Sequence, residues 1–158
     1  MTNLGQEVVI DASALLPLFL PETNSQDTVD LFEQFELGNL REIHAPRLLM
    51  YECAHVLLRH VRRQQLSTQD AVQIYRTIDE LRLTLYDTPA LSRSEFETAA
   101  KFTIGGYDAV YVALAARLSL PLVSNDKGLL ANSKGLHNVL SPTDATVEAK
   151  AGRLRRTT

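Results

Sequence analysis

The chain has 158 residues, 45% of them hydrophobic and 22% charged, which is enough for one sizeable core and short of two. Its 16 Lys and Arg against 19 Asp and Glu leave a formal charge of -3, so no overall basic field marks a nucleic-acid binder and any such role must rest on local charge. A single cysteine, Cys53, excludes an internal disulfide and a cysteine-rich zinc site; with no basic leader ahead of an apolar run and no run near the span of a bilayer, the sequence predicts a cytoplasmic protein.

In chain order, Val8-Val9-Ile10 predict a strand buried on both faces, as in a parallel sheet, with Asp11 at its carboxyl end. That edge of an open α/β sheet is the usual ligand crevice, yet Asp11 or Ser13 can equally cap the helix expected over 13–20. Residues 21–25, Pro-Glu-Thr-Asn-Ser, break that helix. A second is expected from about 26, with Val29, Phe32, Phe35 and Leu40 inward and Gly38-Asn39 as its stop. A strand at 42–45 leads into a long helix opened by Pro46 and running to about 65, with Leu49, Cys53, Val56 and Leu57 facing in. Ser67-Thr68-Gln69-Asp70 resembles a capping box for a helix to about 81, and 83–86 form a third strand. Ser92 or Ser94 caps a helix to about 103, and Gly105-Gly106 separate it from another over 108–118. A fourth strand at 121–124, a short helical turn at 127–131 and a weak strand at 138–140 complete the pattern. The alternation reads as βαβ units in one α/β domain, 1–145, with a polar and finally basic tail, 146–158.

The chemistry lies in where the acids fall. Asp11 ends the first strand, Asp126 follows the fourth, Asp108 heads a helix apolar nearly all round, and Glu52 shares a helix face with Leu49 and Val56. Each has a plain alternative: Asp11 and Asp108 as caps, Asp126 as a turn residue, and Glu52 reaching to water or pairing with Arg47 or Arg59.

Taken together, Val9 to Leu16, Pro46 to Glu52, Tyr107 to Ala115 and Leu122 to Lys127 resemble the PIN-domain ribonucleases, most closely the VapC toxins of bacterial toxin-antitoxin pairs. The resemblance covers nearly the whole chain. It implies a three-layer α/β/α fold with a five-stranded parallel sheet in the order 3-2-1-4-5. It further implies that Asp11, Glu52, Asp108 and Asp126 meet at the carboxyl edge around Mg²⁺ or Mn²⁺. Ser13 and Ser124 match hydroxyl positions that hold a carboxylate or a water in place. Where some members carry a further acid, this chain has Gly128, which leaves one ion or two open. The family also implies an RNA substrate, a cognate antitoxin that occludes the site, and a homodimer.

Elementary electrostatics asks for the metal independently. Two carboxylates about 5 Å apart repel by roughly 1 to 3 kcal/mol at intermediate dielectric, so four need a cation. Hard oxygen ligands select Mg²⁺ or Mn²⁺, which bind phosphate oxygens and activate water. Arg59 and Arg63 follow Glu52 along one helix stripe, and with Lys127 and the tail residues Arg153, Arg155 and Arg156 they are candidate phosphate or antitoxin contacts, or else solvated surface. Rival classes fare worse: Asp11-Ala12-Ser13 stands where a nucleotide-binding Gly-rich loop should be. Ser13 also replaces the second Asp of a haloacid-dehalogenase-like phosphatase. A response-regulator-like phosphoacceptor would use Asp87 at the end of the third strand, but lacks its paired acids. A PIN-fold RNA-processing nuclease without an antitoxin, and a scaffold that binds RNA or a partner without cutting, stand as the alternatives.

Overall fold

The computed structural model describes residues 6–21 and 25–154. Five strands, β1 (Glu7–Ile10), β2 (Glu42–Pro46), β3 (Leu83–Tyr86), β4 (Leu122–Val123) and β5 (Val139–Leu140), form one parallel sheet in the order β3-β2-β1-β4-β5. That is the expected order. β1 is central because Val8, Val9 and Ile10 are all without exposed surface, as a strand covered on both faces requires.

The helices flank the sheet in the α/β/α arrangement. They are α1 (Ala12–Leu15), continued by a 3-10 turn at Leu16–Leu18, then α2 (Ser25–Glu36), α3 (Leu48–Arg62), α4 (Thr68–Glu80), α5 (Arg93–Lys101), α6 (Gly106–Leu118), α7 (Lys127–Asn132) and α8 (Pro142–Lys150). Ser67 and Ser92 cap α4 and α5 through their hydroxyls, and the Ser92 cap is a full box closed by Glu95.

Three expectations shift. Pro46 does not open α3: it pairs with Tyr86 as the last residue of β2, and Arg47 N–H donates to the Tyr86 carbonyl at 2.9 Å, so the helix begins at Leu48. Val29 is exposed. Phe32 and Phe35 pack against the core and Leu40 is buried as expected, and the fully buried residues of α2 are Thr28, Leu31 and Gln34, with the Thr28 hydroxyl donating to the Ala14 carbonyl at 3.1 Å and Gln34 accepting from Asn39 at 2.9 Å. The stretch expected as a polar tail from 146 is packed as far as Leu154. α8 buries Pro142, Ala145, Thr146 and Ala149 and lies along α2, and Glu7 N–H donates to the Leu154 carbonyl at 3.3 Å. The breaker residues 22–24 and the basic residues Arg155 and Arg156 lie outside the described residues.

Candidate active site

Parallel pairing of β1 with β4 puts the ends of these two strands side by side, and the turns that follow them carry Asp11 and Asp126. Asp11 is 3% exposed and caps α1: its Oδ1 accepts from Ala14 N–H at 3.0 Å and from the Ser13 hydroxyl at 2.7 Å. Ser13 binds the neighbouring turn as well, since its Oγ accepts from Asn125 N–H at 2.9 Å and lies 3.2 Å from Ser124 Oγ. Ser124 also hydrogen-bonds the Asp11 carboxylate, so two serine hydroxyls serve the same acid. Ser124 Oγ in turn accepts from Asp126 N–H at 3.0 Å. Asp126 caps α7, its Oδ1 accepting from Leu129 N–H at 2.6 Å. For both acids the capping role is real, and it fixes one carboxylate oxygen while the group faces the edge.

Asp108 is not a cap. Gly105 holds that position without a side-chain bond, and Asp108 stands in the first turn of α6. Burial, and then the charges of Asp126 and Glu52, push its carboxyl up to about 6. Asp11 is likewise pushed up to about 6 by burial, with the charge of Asp108 adding a little and the Ser124, Ser13 and Ala14 contacts opposing. Asp108 is therefore the hub that electrostatically touches the other three acids. Glu52, half-buried on α3, is raised by burial, and the nearby Tyr111 hydroxyl partly offsets this. Glu52 Oε1 and Tyr111 Oη are both buried without an aligned hydrogen bond, although they lie near enough to feel each other. Tyr111 is 1% exposed and faces this carboxylate from the turn of α6 after Asp108. The apolar look of α6 conceals it in the sequence.

The structure thus brings the four acids and two serines to one edge. The carboxylates nevertheless stand apart: among the described residues no three of the four bring oxygens to within 4.8 Å of one another. Nor does any Lys, Arg or His among the described residues form an ion pair with them. An all-oxygen donor set, an orphaned buried Glu52 oxygen and the missing counter-charge together fit a hard divalent ion held by Asp11, Glu52, Asp108 and Asp126. Burial pushes the Cys53 thiol up to about 12, which keeps it a protonated core residue.

The basic candidates divide. Arg59 lines a cleft of about 410 Å³ together with Glu52, His55, Tyr51 and Tyr107. Arg63 closes the far end of α3 and does not line it. Lys127 is exposed beside Asp126, whereas Arg153 is engaged by Glu148 at 2.7 and 2.8 Å near the amino end of β1. Asp87 is 92% exposed and paired with Arg47 at 2.6 Å, which is a surface ion pair.

A second titratable cluster went unread in the sequence. Glu7, Glu42 and His44 bring ligand-type atoms within 4.8 Å of one another at the amino end of the sheet. By strand rise this lies on the order of 13 Å from Asp11 along β1. His44 Nε2 sits 3.0 Å from Glu7 Oε2, His44 Nδ1 is 3.0 Å from the Tyr86 hydroxyl, and Arg41 reaches Glu7 at 3.3 Å. The readable signal was the two-residue spacing of Glu42 and His44, which sets them on one face of β2.

Residues 8–135 match the PIN domain family model. The chain is similar to Ribonuclease VapC3 of Pyrobaculum aerophilum, with 30% identity over 125 residues covering 78% of this chain and 92% of the relative. It is also similar to VapC ribonuclease Mb0985 of Mycobacterium bovis, with 31% identity over 119 residues, 75% of this chain and 85% of the relative. Among solved structures, PAE2754 of Pyrobaculum aerophilum superposes with a TM-score of 0.68 at 21% identity, over 92% of this chain and 96% of that one. FitAcB of Neisseria gonorrhoeae superposes at 0.60 with 14% identity, over 85% and 97%. Those two likenesses bear on the fold.

Proposed function

The chain belongs to the PIN-domain family, and from that membership we propose that it is a metal-dependent endoribonuclease of the VapC type, the toxin of a toxin-antitoxin pair. The observation that carries the reading is the convergence of four carboxylates from four separate elements on one sheet edge, with no Lys, Arg or His among the described residues paired to them. Mg²⁺ or Mn²⁺ held by Asp11, Glu52, Asp108 and Asp126 would supply positive charge to a phosphodiester and acidify water for in-line attack.

The chain's own residues do the rest. Ser13 and the first turn of α1 hold Asp11 in one orientation, and the first turn of α7 does the same for Asp126. Glu52 keeps one buried oxygen without an aligned hydrogen bond among the described residues. Arg59 and Lys127 border the edge and can meet phosphate oxygens, which positions RNA without reading its sequence. No protein nucleophile is required. The named relatives are ribonucleases, which supports RNA as the substrate here. A cognate antitoxin, a homodimer and a cytoplasmic location complete the proposal; among the described residues, no helix is long and apolar enough to cross a membrane.

Purified protein free of any partner should cut single-stranded or looped RNA with Mg²⁺ or Mn²⁺ and stop with EDTA, leaving a 5′-phosphate and a 3′-hydroxyl. Cleavage that ignores the chelator, or a 2′,3′-cyclic phosphate product, would remove the mechanism. Expression alone should slow bacterial growth, with Glu52→Gln relieving it; an expressed, RNA-cutting protein that leaves growth untouched points to RNA processing instead of a toxin.

A further inference from the structure

Tyr51 and Tyr107 are the two most exposed large apolar side chains among the described residues, at 76% and 67%. Each directly precedes an acid of the cluster: Tyr51 comes before Glu52 on α3, and Tyr107 before Asp108 in the first turn of α6. Successive residues on a helix point about 100° apart, so the acid turns inward while the ring stays at the rim. The two rings also share a wall of two clefts. One, about 410 Å³, has Glu52, His55 and Arg59 on its other sides. The second, about 300 Å³, is bounded by Arg47 and by Thr88, Pro89 and Ala90 after β3.

We propose that Tyr51 and Tyr107 form a base-stacking platform at the mouth of the acidic edge, taking an unstacked nucleobase next to the phosphodiester that is cut. The inference rests on the nuclease reading and deepens it: it makes the substrate RNA whose bases are free of a duplex. An aromatic face binds any base through its π surface, and single-stranded RNA is the form that offers such faces. The local charge favours this occupant. Arg59, which makes no ion pair among the described residues, lines the same cleft two turns along α3 from Tyr51, where a neighbouring phosphate would pass. The cleft cannot be permanently covered by a second copy or another protein, because Glu52 is part of its wall and substrate must reach it.

The test is an abasic scan. A short single-stranded RNA of mixed sequence is compared, with the full chain and Mg²⁺ or Mn²⁺, against the same strand carrying an abasic ribose at successive positions. For the wild type, kcat/KM should fall roughly tenfold to a hundredfold when the missing base is the one beside the cut, the range of one lost stacking contact. The Tyr51→Leu/Tyr107→Leu double variant should lose a similar factor on the intact strand and show no further loss at that position. Tyr51→Phe/Tyr107→Phe, which keeps the rings, should retain the wild-type pattern. Both single leucine variants and their melting curves are measured beside the double, so a folding defect is not mistaken for lost stacking. Undiminished abasic sensitivity in the leucine variants overturns the platform while leaving the nuclease intact. So does a change of oligomeric state, read by sedimentation, with the cleavage pattern unaltered; the tyrosines would then be an interface between copies. A wild type that cuts no RNA overturns the nuclease reading first, and the platform with it.

Discussion

The two ends of β1 each gather several acids around one buried carboxylate, with opposite solutions. At the amino end, Glu7 is 5% exposed, yet His44 donates into it, Arg41 sits against it, and Thr84 and Tyr86 engage Glu42 and His44 in turn. Every charge there has a protein partner. At the carboxyl end, Asp11 and Asp126 receive hydrogen bonds from a serine or a helix end, but among the described residues no Lys, Arg or His pairs with them or with Glu52 and Asp108, and burial leaves Asp11 and Asp108 raised to about 6. A cluster that closes on itself behaves as structure, whereas one that leaves its charge unbalanced waits for something to bind. By this contrast the amino-end group, although it is the tighter in space, is the weaker candidate for a metal.

The sharpest way to break that contrast is activity. Asp11→Asn should lower RNA cleavage by roughly a thousandfold or more, since several kcal/mol of charge stabilisation disappear. His44→Gln should leave cleavage within about tenfold of the wild type, when assayed well below its melting temperature. Equal losses in gel-based cleavage rates would make the two ends one site.

Stability should show the reverse order. His44→Gln removes the partner of a buried carboxylate and should cost about 3 kcal/mol in denaturant unfolding, with no dependence on Mg²⁺. A variant rescued by Mg²⁺ would mean that the amino end does bind an ion.

The pH response follows from the sign of the shifts. Folding raises Asp11 from 3.8 to about 6, so between those values the folded chain holds more protons than the unfolded one. The Asp11 contribution to the stability of the metal-free protein is therefore fullest below about pH 4 and is lost as pH rises through about 6, by roughly 2 to 3 kcal/mol. Asp108 acts in the same direction but more weakly, being half open to water. Stabilisation by Mg²⁺ should grow over the same window as the protons leave, reaching about 2.7 kcal/mol at a hundredfold excess over Kd. Melting curves at pH 5 and 7, with EDTA and with Mg²⁺, read both trends; a Mg²⁺ shift independent of pH would detach the ion from these carboxylates.

The smallest expected effect concerns Asp108→Asn. Without metal it should raise stability by about 1 kcal/mol, because repulsion at the hub is relieved, while the gain from Mg²⁺ is largely lost. Equal Mg²⁺ shifts in wild type and variant, with cleavage retained, would remove Asp108 from the site.

Much of this architecture is legible in the residues. Strands at β1 and β3, and helices at α4 and α6, follow from β-branched runs, serine caps and apolar periodicity, and the acids could be placed on them. What stays hidden has physical causes. α8 buries Ala145, Thr146 and Ala149, a face too small and too polar to stand out as a stripe. α2 turns Thr28 and Gln34 inward and leaves Val29 to solvent, because hydrogen bonds satisfy the buried pair. Glu7 looks like the polar flank of a strand until the register with Glu42 and His44 supplies it with partners. Tyr111 reads as one more apolar residue, since only the packing of α6 near α3 reveals what its hydroxyl faces.

The caps at Asp11 and Asp126 carry a consequence for ion size. Each has one oxygen tied to the start of a helix, so neither carboxylate can swing freely, whereas Glu52 on its longer side chain and the uncapped Asp108 can. One half of the cage is rigid and the other adjustable. With no three of these carboxylates bringing oxygens within 4.8 Å of one another, an ion that prefers oxygens at about 2.4 Å, such as Ca²⁺, needs less inward movement than Mg²⁺ at about 2.1 Å. A smaller ion held there would require Glu52 and Asp108 to move toward the fixed pair, and discrimination by radius would fall to those two side chains.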